Sequence, residues 1–152
     1  MIHVAVQQEA IDVAAVLAQA EDSGAGAVAS FTGIVRDDGG VTELLLEHYP
    51  GVTERRLREL AEEASARWPL GAVSVIHRVG AMVPGDRIVL VVTASAHRGA
   101  ALDACAYLID RLKTDAPFWK RERRGSDERW VEARGSDDVA AARWAADEAP
   151  AT

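Results

Sequence analysis

Lysine is nearly absent from this chain. Of its 17 basic residues fifteen are arginines, and the only lysines are Lys113 and Lys120. Arginine stays protonated in proteins, whereas a lysine in a low-polarity environment can become a neutral amine. Two lysines within one short segment of an arginine-rich chain therefore indicate chemistry that a guanidinium cannot perform.

Cysteine and long apolar runs are also scarce. The single cysteine, Cys105, excludes an internal disulfide framework. No apolar run approaches the roughly 18 residues that a membrane span needs. Residues 1–6 lack the basic region and the long apolar stretch of a secretory signal. These absences favour a cytoplasmic protein that does not contact a membrane.

The net charge of -7 argues against general binding to nucleic acid. The charge is uneven, however, because residues 111–134 carry eight basic and five acidic side chains. A local basic segment in an acidic protein favours a small anionic ligand. The alternative is a basic face that merely contacts water.

Hydrophobic periodicity predicts one α+β domain over residues 1–135, followed by an acidic, alanine-rich tail over 136–152 that is partly helical and then frayed. The strand over 87–93 is strongly apolar and is expected to be central. Thr53 is expected to cap a helix, and the strands on either side of the loop at 36–40 are expected to form a hairpin. The predicted strands are 2–6, 27–35, 42–49, 73–79, 87–93, 118–123 and 128–133, and the predicted helices are 11–21, 53–68 and 100–114.

Two groups of residues are candidates for anion binding. His97 and Arg98 lie between a buried strand and a helix, and helix N-termini attract anions. Arg36 ends a strand beside a glycine-rich loop, where its guanidinium can hold a phosphate through two hydrogen bonds. The alternatives are an incidental basic pair in a surface loop and an ion pair of Arg36 with Asp37 or Asp38.

The two lysines are the candidates for chemistry. Lys113 ends a helix and Lys120 lies on the next strand, so the intervening turn can bring both amines to one pocket. Phe118 and Trp119 can supply apolar walls that lower an amine pKa, which suits a nucleophile or general base. The alternatives are a favourable charge at a helix C-terminus for Lys113 and an exposed strand position for Lys120.

The remaining candidates are predicted to be structural. Cys105 falls on the apolar stripe of its helix, and His48 and His77 lie within strands. The histidines show no metal-ligand spacing with each other or with Cys105. No phosphate-binding loop, dinucleotide fingerprint or serine nucleophile motif is present.

Several segments in the same order resemble the catalytic, or large, subunit of molybdopterin synthase. The most specific is Leu112–Glu122, which contains both lysines. The resemblance covers about Ala27 to Trp144, and its other segments are Phe31–Arg36, Leu46–Gly51, Arg67–Gly71, Val75–Gly80, Pro84–Asp86, Ser95–Arg98 and Trp130–Arg134.

The resemblance implies an α/β hammerhead-like fold with an added antiparallel β subdomain. It implies a sulfurtransferase that moves sulfur from the C-terminal thiocarboxylate of a small ubiquitin-like carrier, ending in Gly-Gly, to cyclic pyranopterin monophosphate. The product is the dithiolene of molybdopterin. Two large subunits would form a central homodimer that binds one carrier at each end, giving a heterotetramer.

The resemblance also assigns residues. It identifies Lys113 and Lys120 as the catalytic lysines, and it implies that the protein binds no metal and uses no cofactor. Ile34 departs from the family pattern, in which many members have lysine, and the loop at 37–40 looks shortened. The substrate-binding residues that it implies are Arg36, His97, Arg98, Arg121, Glu122 and Arg134, the last of these reaching across the dimer.

Two other functions compete with this interpretation. A non-catalytic module that docks a ubiquitin-like Gly-Gly tail would explain a basic groove, but it gives no reason for two lysines. An enzyme acting on another phosphorylated heterocycle would use the same anion site but would not bind the carrier.

Overall fold

The computed structural model describes residues 1–131 and Trp144. Within that part the chain forms three helices and eight strands, and the strands make up two sheets. In chain order these are β1 (Ile2–Gln7), α1 (Val13–Glu21), β2 (Ala27–Ile34), β3 (Glu43–His48), α2 (Val52–Arg67), β4 (Leu70–Arg78), β5 (Gly80–Met82), β6 (Arg87–Ser95), α3 (Arg98–Asp115), β7 (Phe118–Arg124) and β8 (Asp127–Val131).

The first sheet has the strand order β1-β4-β6-β2, in which β1 and β4 run parallel and the other neighbours antiparallel. Helix α1 covers one face, while α2 and α3 cover the other. Strand β6 buries side chains on both faces, with Val89 and Val91 toward α2 and α3 and Leu90 and Val92 toward α1. The predicted central position of this apolar strand is confirmed.

The second sheet has the order β5-β3-β7-β8 and is antiparallel throughout. Leu44, Leu46 and Met82 are buried and join the core that α2 and α3 form with the first sheet. The protein is therefore an α+β fold with an added antiparallel sheet, as expected.

The predicted hairpin of β2 with β3 is wrong. Strand β2 pairs with β6 in the first sheet, whereas β3 pairs with β5 and β7 in the second. The two ends of the intervening loop are bound to different sheets: Val35 N–H donates to the Asp86 carbonyl at 2.8 Å, and Thr42 N–H donates to the Arg123 carbonyl at 2.8 Å. The loop therefore carries the chain from one sheet to the other.

The predicted N-cap of α2 is also wrong. The cap is Gly51, whose positive φ of 84° suits glycine. Its backbone N–H donates to the Glu54 carboxylate at 2.9 Å. Thr53 lies inside the helix and is fully buried, where its hydroxyl has a different role, described below.

Cys105 lies in the core, as predicted. Its thiol is 3.9 Å from the Val91 carbonyl, and burial raises its pKa to about 11. No helix among the described residues is both long and apolar enough to cross a membrane.

The boundary expected near residue 135 and the tail beyond it lie outside the described residues, apart from Trp144. The Trp144 ring packs edge-on against Trp68 and Tyr107. Its Nε1–H donates to an Asp110 carboxylate oxygen at 2.7 Å. One residue of the tail therefore packs on the surface that α2 and α3 share.

Candidate active site

The two lysines lie on either side of one tight connection. Lys113 is in the last turn of α3, and Lys120 is the third residue of β7. Between them Ala116 turns to an extended conformation, and Pro117 cannot continue a helix. The connection is therefore short because of its sequence, and it keeps the end of α3 next to the start of β7.

A buried hydroxyl fixes this connection in place. The Thr53 hydroxyl donates to the Pro117 carbonyl at 3.0 Å and accepts a hydrogen bond from Tyr49 N–H, also at 3.0 Å. The Thr53 side chain is itself 0% exposed, and both of its hydrogen bonds are partly buried. The start of α2 therefore holds the turn between the lysines.

Ion pairs hold the C-terminal end of α3 against α2. Arg111 donates to Asp115 at 2.6 Å and to the Tyr107 hydroxyl at 2.8 Å. It also lies 3.4 Å from Glu63, while Arg56 of α2 lies 3.3 Å from Asp115. This network brackets Lys113 from both sides in sequence and limits movement of the last helical turn.

Strand β7 separates its side chains onto two faces of the second sheet. Lys120 and Glu122 are opposite Leu46 and Leu44 of β3, both of which are buried in the core. Because cross-strand partners point to the same side of a sheet, Lys120 and Glu122 belong to the inward face. Lys120 is accordingly half-buried.

Arg121 lies on the opposite face of β7. Its guanidinium is 4.5 Å from the centre of the Trp130 ring and 3.8 Å from Glu128. Trp119 shares this outward face and packs against Tyr49, with ring centres 4.2 Å apart. Of the two aromatic walls expected around the amines, the structure therefore supplies Phe118 but not Trp119.

The main residue that the sequence analysis did not assign to the site is His77. It is the penultimate residue of β4 and is 5% exposed. Its ring stacks on Phe118, with centres 4.0 Å apart and an interplanar angle of 24°. Its Nδ1 lies 2.9 Å from the Arg78 carbonyl oxygen.

Burial lowers the pKa of His77 from 6.5 to about 3, despite the opposing hydrogen bond to the Arg78 carbonyl. The positive charges of Lys113 and Lys120 lower this pKa further, as does His48. Both lysines are thus close enough to act on one buried ring. The charges of both lysines therefore act on the same buried imidazole, and His77 is neutral at physiological pH.

The Arg36 loop is attached to β7 through another arginine. Arg124 donates to the carbonyls of Asp38 at 2.8 Å and Gly39 at 3.0 Å, and it pairs with Glu122 at 2.9 Å. Arg36 itself is exposed and lies 3.7 Å from Asp38, a weak ion pair in water. An ion pair with Asp37 or Asp38 was the alternative to anion binding in the sequence analysis. The contact with Asp38 is weak and leaves the Arg36 guanidinium accessible to an anion.

His97 and Arg98 lie at the opposite end of α3 from Lys113. His97 is the N-cap residue and Arg98 begins the helix, and both are exposed. At 1.5 Å per residue, the Cα atoms of Arg98 and Lys113 are about 22 Å apart along the helix axis. Within one chain the structure therefore does not bring this basic pair to the lysines. Arg134 lies outside the described residues.

No group of three or more metal-ligating side chains occurs within residues 1–131. The described site is instead made of amines, a neutral imidazole, a carboxylate and arginines. The fold and this site define an α+β protein whose candidate chemistry is based on lysine.

Comparison with known proteins gives the family. The profile of the family described as "MoaE protein" matches residues 6–115. The chain is 56% identical over 122 residues to the molybdopterin synthase catalytic subunit of Escherichia coli, covering 78% of this chain and 81% of that protein. This protein belongs to the MoaE family.

Solved structures agree with this result. The molybdopterin biosynthesis MoaE protein from Burkholderia ambifaria superposes with a TM-score of 0.83 at 46% identity, covering 95% of this chain and 99% of that one. A protein–protein complex of subunits 1 and 2 of the molybdopterin-converting factor from Helicobacter pylori shares the fold, with a TM-score of 0.74 at 21% identity, covering 86% of this chain and 91% of that one.

Proposed function

We propose that this protein is the catalytic subunit of a molybdopterin synthase. It transfers sulfur from the C-terminal thiocarboxylate of a small ubiquitin-like carrier to cyclic pyranopterin monophosphate, forming the dithiolene of molybdopterin. The observation that carries the proposal is the position of the lysines: the only two in the sequence flank one connection and act on the same buried histidine. The family relationship supports the choice of reaction.

The carrier supplies a sulfur atom on an acyl group. The thiocarboxylate sulfur bonds to an oxygen-bearing carbon of the pterin side chain, and the oxygen on that carbon is displaced, which gives a thioester between carrier and pterin. Water then cleaves the acyl–sulfur bond, so the sulfur stays on the pterin and the carrier departs as a carboxylate. Two such transfers give the two sulfurs of a dithiolene. A positive pocket favours the anionic thiocarboxylate, and lysine ammonium groups stabilise negative charge that develops during each transfer.

In our proposal, Lys113 and Lys120 have different roles in the transfer. Lys113 is exposed at the end of α3 and is accessible to an incoming peptide tail. It binds the thiocarboxylate and acts as general acid and base or as a transient nucleophile. Lys120 is half-buried on the inward face of β7. It contacts the pterin, with Glu122 on the same face.

The phosphate of the substrate is bound by Arg36, His97 and Arg98. A single chain would have to hold one small molecule along the whole of α3 to use both ends of the helix. A second copy of the chain removes this difficulty, because its α3 can present His97 and Arg98 beside the lysines of the first. The site is then shared across a homodimer, which also accommodates a contribution from Arg134.

We further propose that the assembly is a heterotetramer with one carrier bound to each large subunit, located in the cytoplasm. The Helicobacter pylori neighbour, solved as a complex of two different subunits, is an example of this fold bound to a second protein. Arg121 and Trp130 lie on the outward face of the second sheet. In our proposal, Arg121 contributes to substrate binding from this outward face, where a partner subunit meets the sheet.

The direct test is sulfur transfer in a purified mixture of this protein, thiocarboxylated carrier and cyclic pyranopterin monophosphate. Lys113→Ala should yield little dithiolene while still binding the carrier, and Lys113→Arg should be nearly as impaired, because a guanidinium keeps the charge but not the amine chemistry. Arg58→Ala, which removes a positive charge from the exposed side of α2, is the matched control.

The outcomes separate the competing functions. A folded wild-type protein that binds the carrier but forms no product would favour a docking module. Full activity of Lys113→Arg would show that positive charge suffices at this position. Equal activity of wild type and Lys113→Ala would leave the enzyme in place but refute the assignment of the lysine.

Complementation tests the shared site. Lys113→Ala and Arg98→Ala homodimers should each be inactive. Mixed dimers would contain one intact site of two, so random exchange of subunits should restore about a quarter of wild-type activity. No recovery after verified subunit exchange would place both groups in sites of the same chain.

A further inference from the structure

His77 is the buried titratable group at the centre of the site to which the proposed reaction assigns no role. It is held on three sides by the structure: by β4, by the Phe118 ring and by the Arg78 carbonyl. It also lies on the α2–α3 side of its sheet, because it is in phase with the buried Val73 and Val75. A polar ring in this position requires an explanation beyond packing, since Phe or Leu would fill the same space without a polar cost.

The location of the ring proton follows from one hydrogen bond. Nδ1 is 2.9 Å from the Arg78 carbonyl oxygen, and a carbonyl can only accept. Nδ1 therefore carries a hydrogen. In a neutral imidazole the other nitrogen, Nε2, is then without one and presents a lone pair.

The charged groups around the ring agree with a neutral acceptor. Lys120 lies two residues beyond the stacked Phe118, on the same inward face of β7, and Lys113 is in the last turn of α3 on the other side of the connection. The charges of both lysines lower the pKa of His77, as does His48 of β3. His48 has its own carboxylate partner, Glu54 of α2, at 3.7 Å. A protonated His77 would be a third positive charge beside two ammonium groups and largely out of water, which is unfavourable.

We propose that His77 is a positioning residue whose Nε2 lone pair accepts a hydrogen bond from the lysine pair and so orients an amine toward the reacting sulfur and pterin. This role rests on the proposed function of Lys113 and Lys120. It adds to that function a neutral hydrogen-bond acceptor that fixes the orientation of an amine. The Arg78 backbone carbonyl fixes Nδ1 as the donor of the ring, and Nε2 is therefore the atom that can accept a hydrogen bond from the site.

A neutral acceptor orients an ammonium group without cancelling its charge. A carboxylate in the same place would form an ion pair and remove the net positive charge that an anionic substrate requires. A phenyl ring would leave the amine free to rotate among its rotamers. An imidazole with a fixed tautomer restricts the amine, and because it binds the protonated form, it also raises the pKa of that lysine.

Because the chain has only two lysines, their titration can be read directly. Protein labelled with ¹³C at lysine Cε should give two lysine signals, each of which reports one amine through a pH titration. In His77→Phe, which keeps a ring against Phe118, at least one lysine pKa should fall by about one unit, the size expected for a lost hydrogen bond to a charged group. His77→Gln, which can place an amide oxygen near the position of Nε2, should recover part of this shift.

Activity should change in a way that a packing role would not produce. In His77→Phe, kcat should fall about tenfold with little change in KM, and the limb of the pH profile that the lysine sets should move to lower pH. His3→Phe, which removes an exposed histidine at the N-terminus, is the matched control and should leave both unchanged.

The wild-type protein provides a test that does not depend on whether the variants fold. The ¹⁵N shifts of the His77 ring at pH 7 should show a protonated Nδ1 and an unprotonated Nε2. A protonated Nε2, or lysine titrations that superimpose in wild type and His77→Phe, would overturn the inference. These readouts need neither carrier nor pterin, so they separate a failure of this inference from a failure of the proposed sulfur transfer.

Discussion

The burial of His77 makes the stability of the protein depend on pH. In the unfolded chain the imidazole titrates near 6.5, whereas in the folded protein its pKa is about 3. Between pH 6.5 and pH 3 His77 therefore binds a proton in the unfolded state but not in the folded state. Acidification must shift the equilibrium toward unfolding, and the loss continues until the pH approaches 3.

The size of the effect follows from the two pKa values. Between pH 7 and pH 5 the contribution of His77 to the free energy of unfolding should fall by about 2 kcal/mol, and by pH 4 by about 3 kcal/mol. The full shift applies because the side chain is only 5% exposed and is therefore weakly screened.

The assay is urea denaturation of wild type and His77→Phe at several pH values from 7 to 4. The variant retains a ring to stack on Phe118 but cannot titrate. The difference in the free energy of unfolding between the two proteins should therefore shift by about 2 kcal/mol in favour of the variant at pH 5. His3→Phe controls for loss of an exposed histidine. Parallel curves for wild type and His77→Phe would refute the reasoning.

Three further predictions concern the supports of the site. Thr53→Val should lower the free energy of unfolding by about 2 kcal/mol, because it removes two partly buried hydrogen bonds, to the Pro117 carbonyl and from the Tyr49 N–H. Thr53→Ser keeps the hydroxyl and should cost only about 1 kcal/mol; urea denaturation measures both. Gly26→Ala should lower Tm sharply, because its Cβ would lie 2.4 Å from a backbone oxygen, whereas Gly99→Ala meets nothing within 4 Å and should not. Arg124→Ala should raise KM for the pterin more than it lowers kcat, because it releases the Arg36 loop.

Each of these has a contrary result. Equal stability of the Val and Ser variants at position 53 would mean that the hydroxyl does not hold the turn. A Tm for Gly26→Ala like that of wild type would mean that the sheet edge can move aside. An unchanged KM in Arg124→Ala would remove the loop from substrate binding.

Some of the site could be predicted from the sequence because the signal was local. Lys113 and Lys120 are rare residues separated by a proline-containing turn, so their proximity required no knowledge of distant pairing. The central strand β6 was evident from its apolar run, since both of its faces are buried. The family segments were equally visible, because they consist of short stretches of adjacent residues.

The rest depended on contacts between residues that are distant in sequence. His77 meets Phe118 only because β4 and β7 belong to sheets that share one core, and neither residue alone indicates the other. The hairpin prediction failed for the same reason, because each strand had a better partner far along the chain. The separation of Arg98 from Lys113, in contrast, follows from the length of α3 and was available from the sequence.

The alternation of side chains between the two faces of β7 limits where residues can be inserted into or deleted from the chain. A one-residue insertion in the connection before β7 that shifted its register would turn Lys120 outward and Arg121 inward, because neighbouring side chains point to opposite faces. The spacing between Lys113 and Lys120 should therefore tolerate no insertion or deletion. The exposed residues 37–40, which connect the two sheets after Arg36, should tolerate a change in length better than this connection. Variation in length among homologues should accordingly accumulate in that loop while the distance between the lysines stays constant.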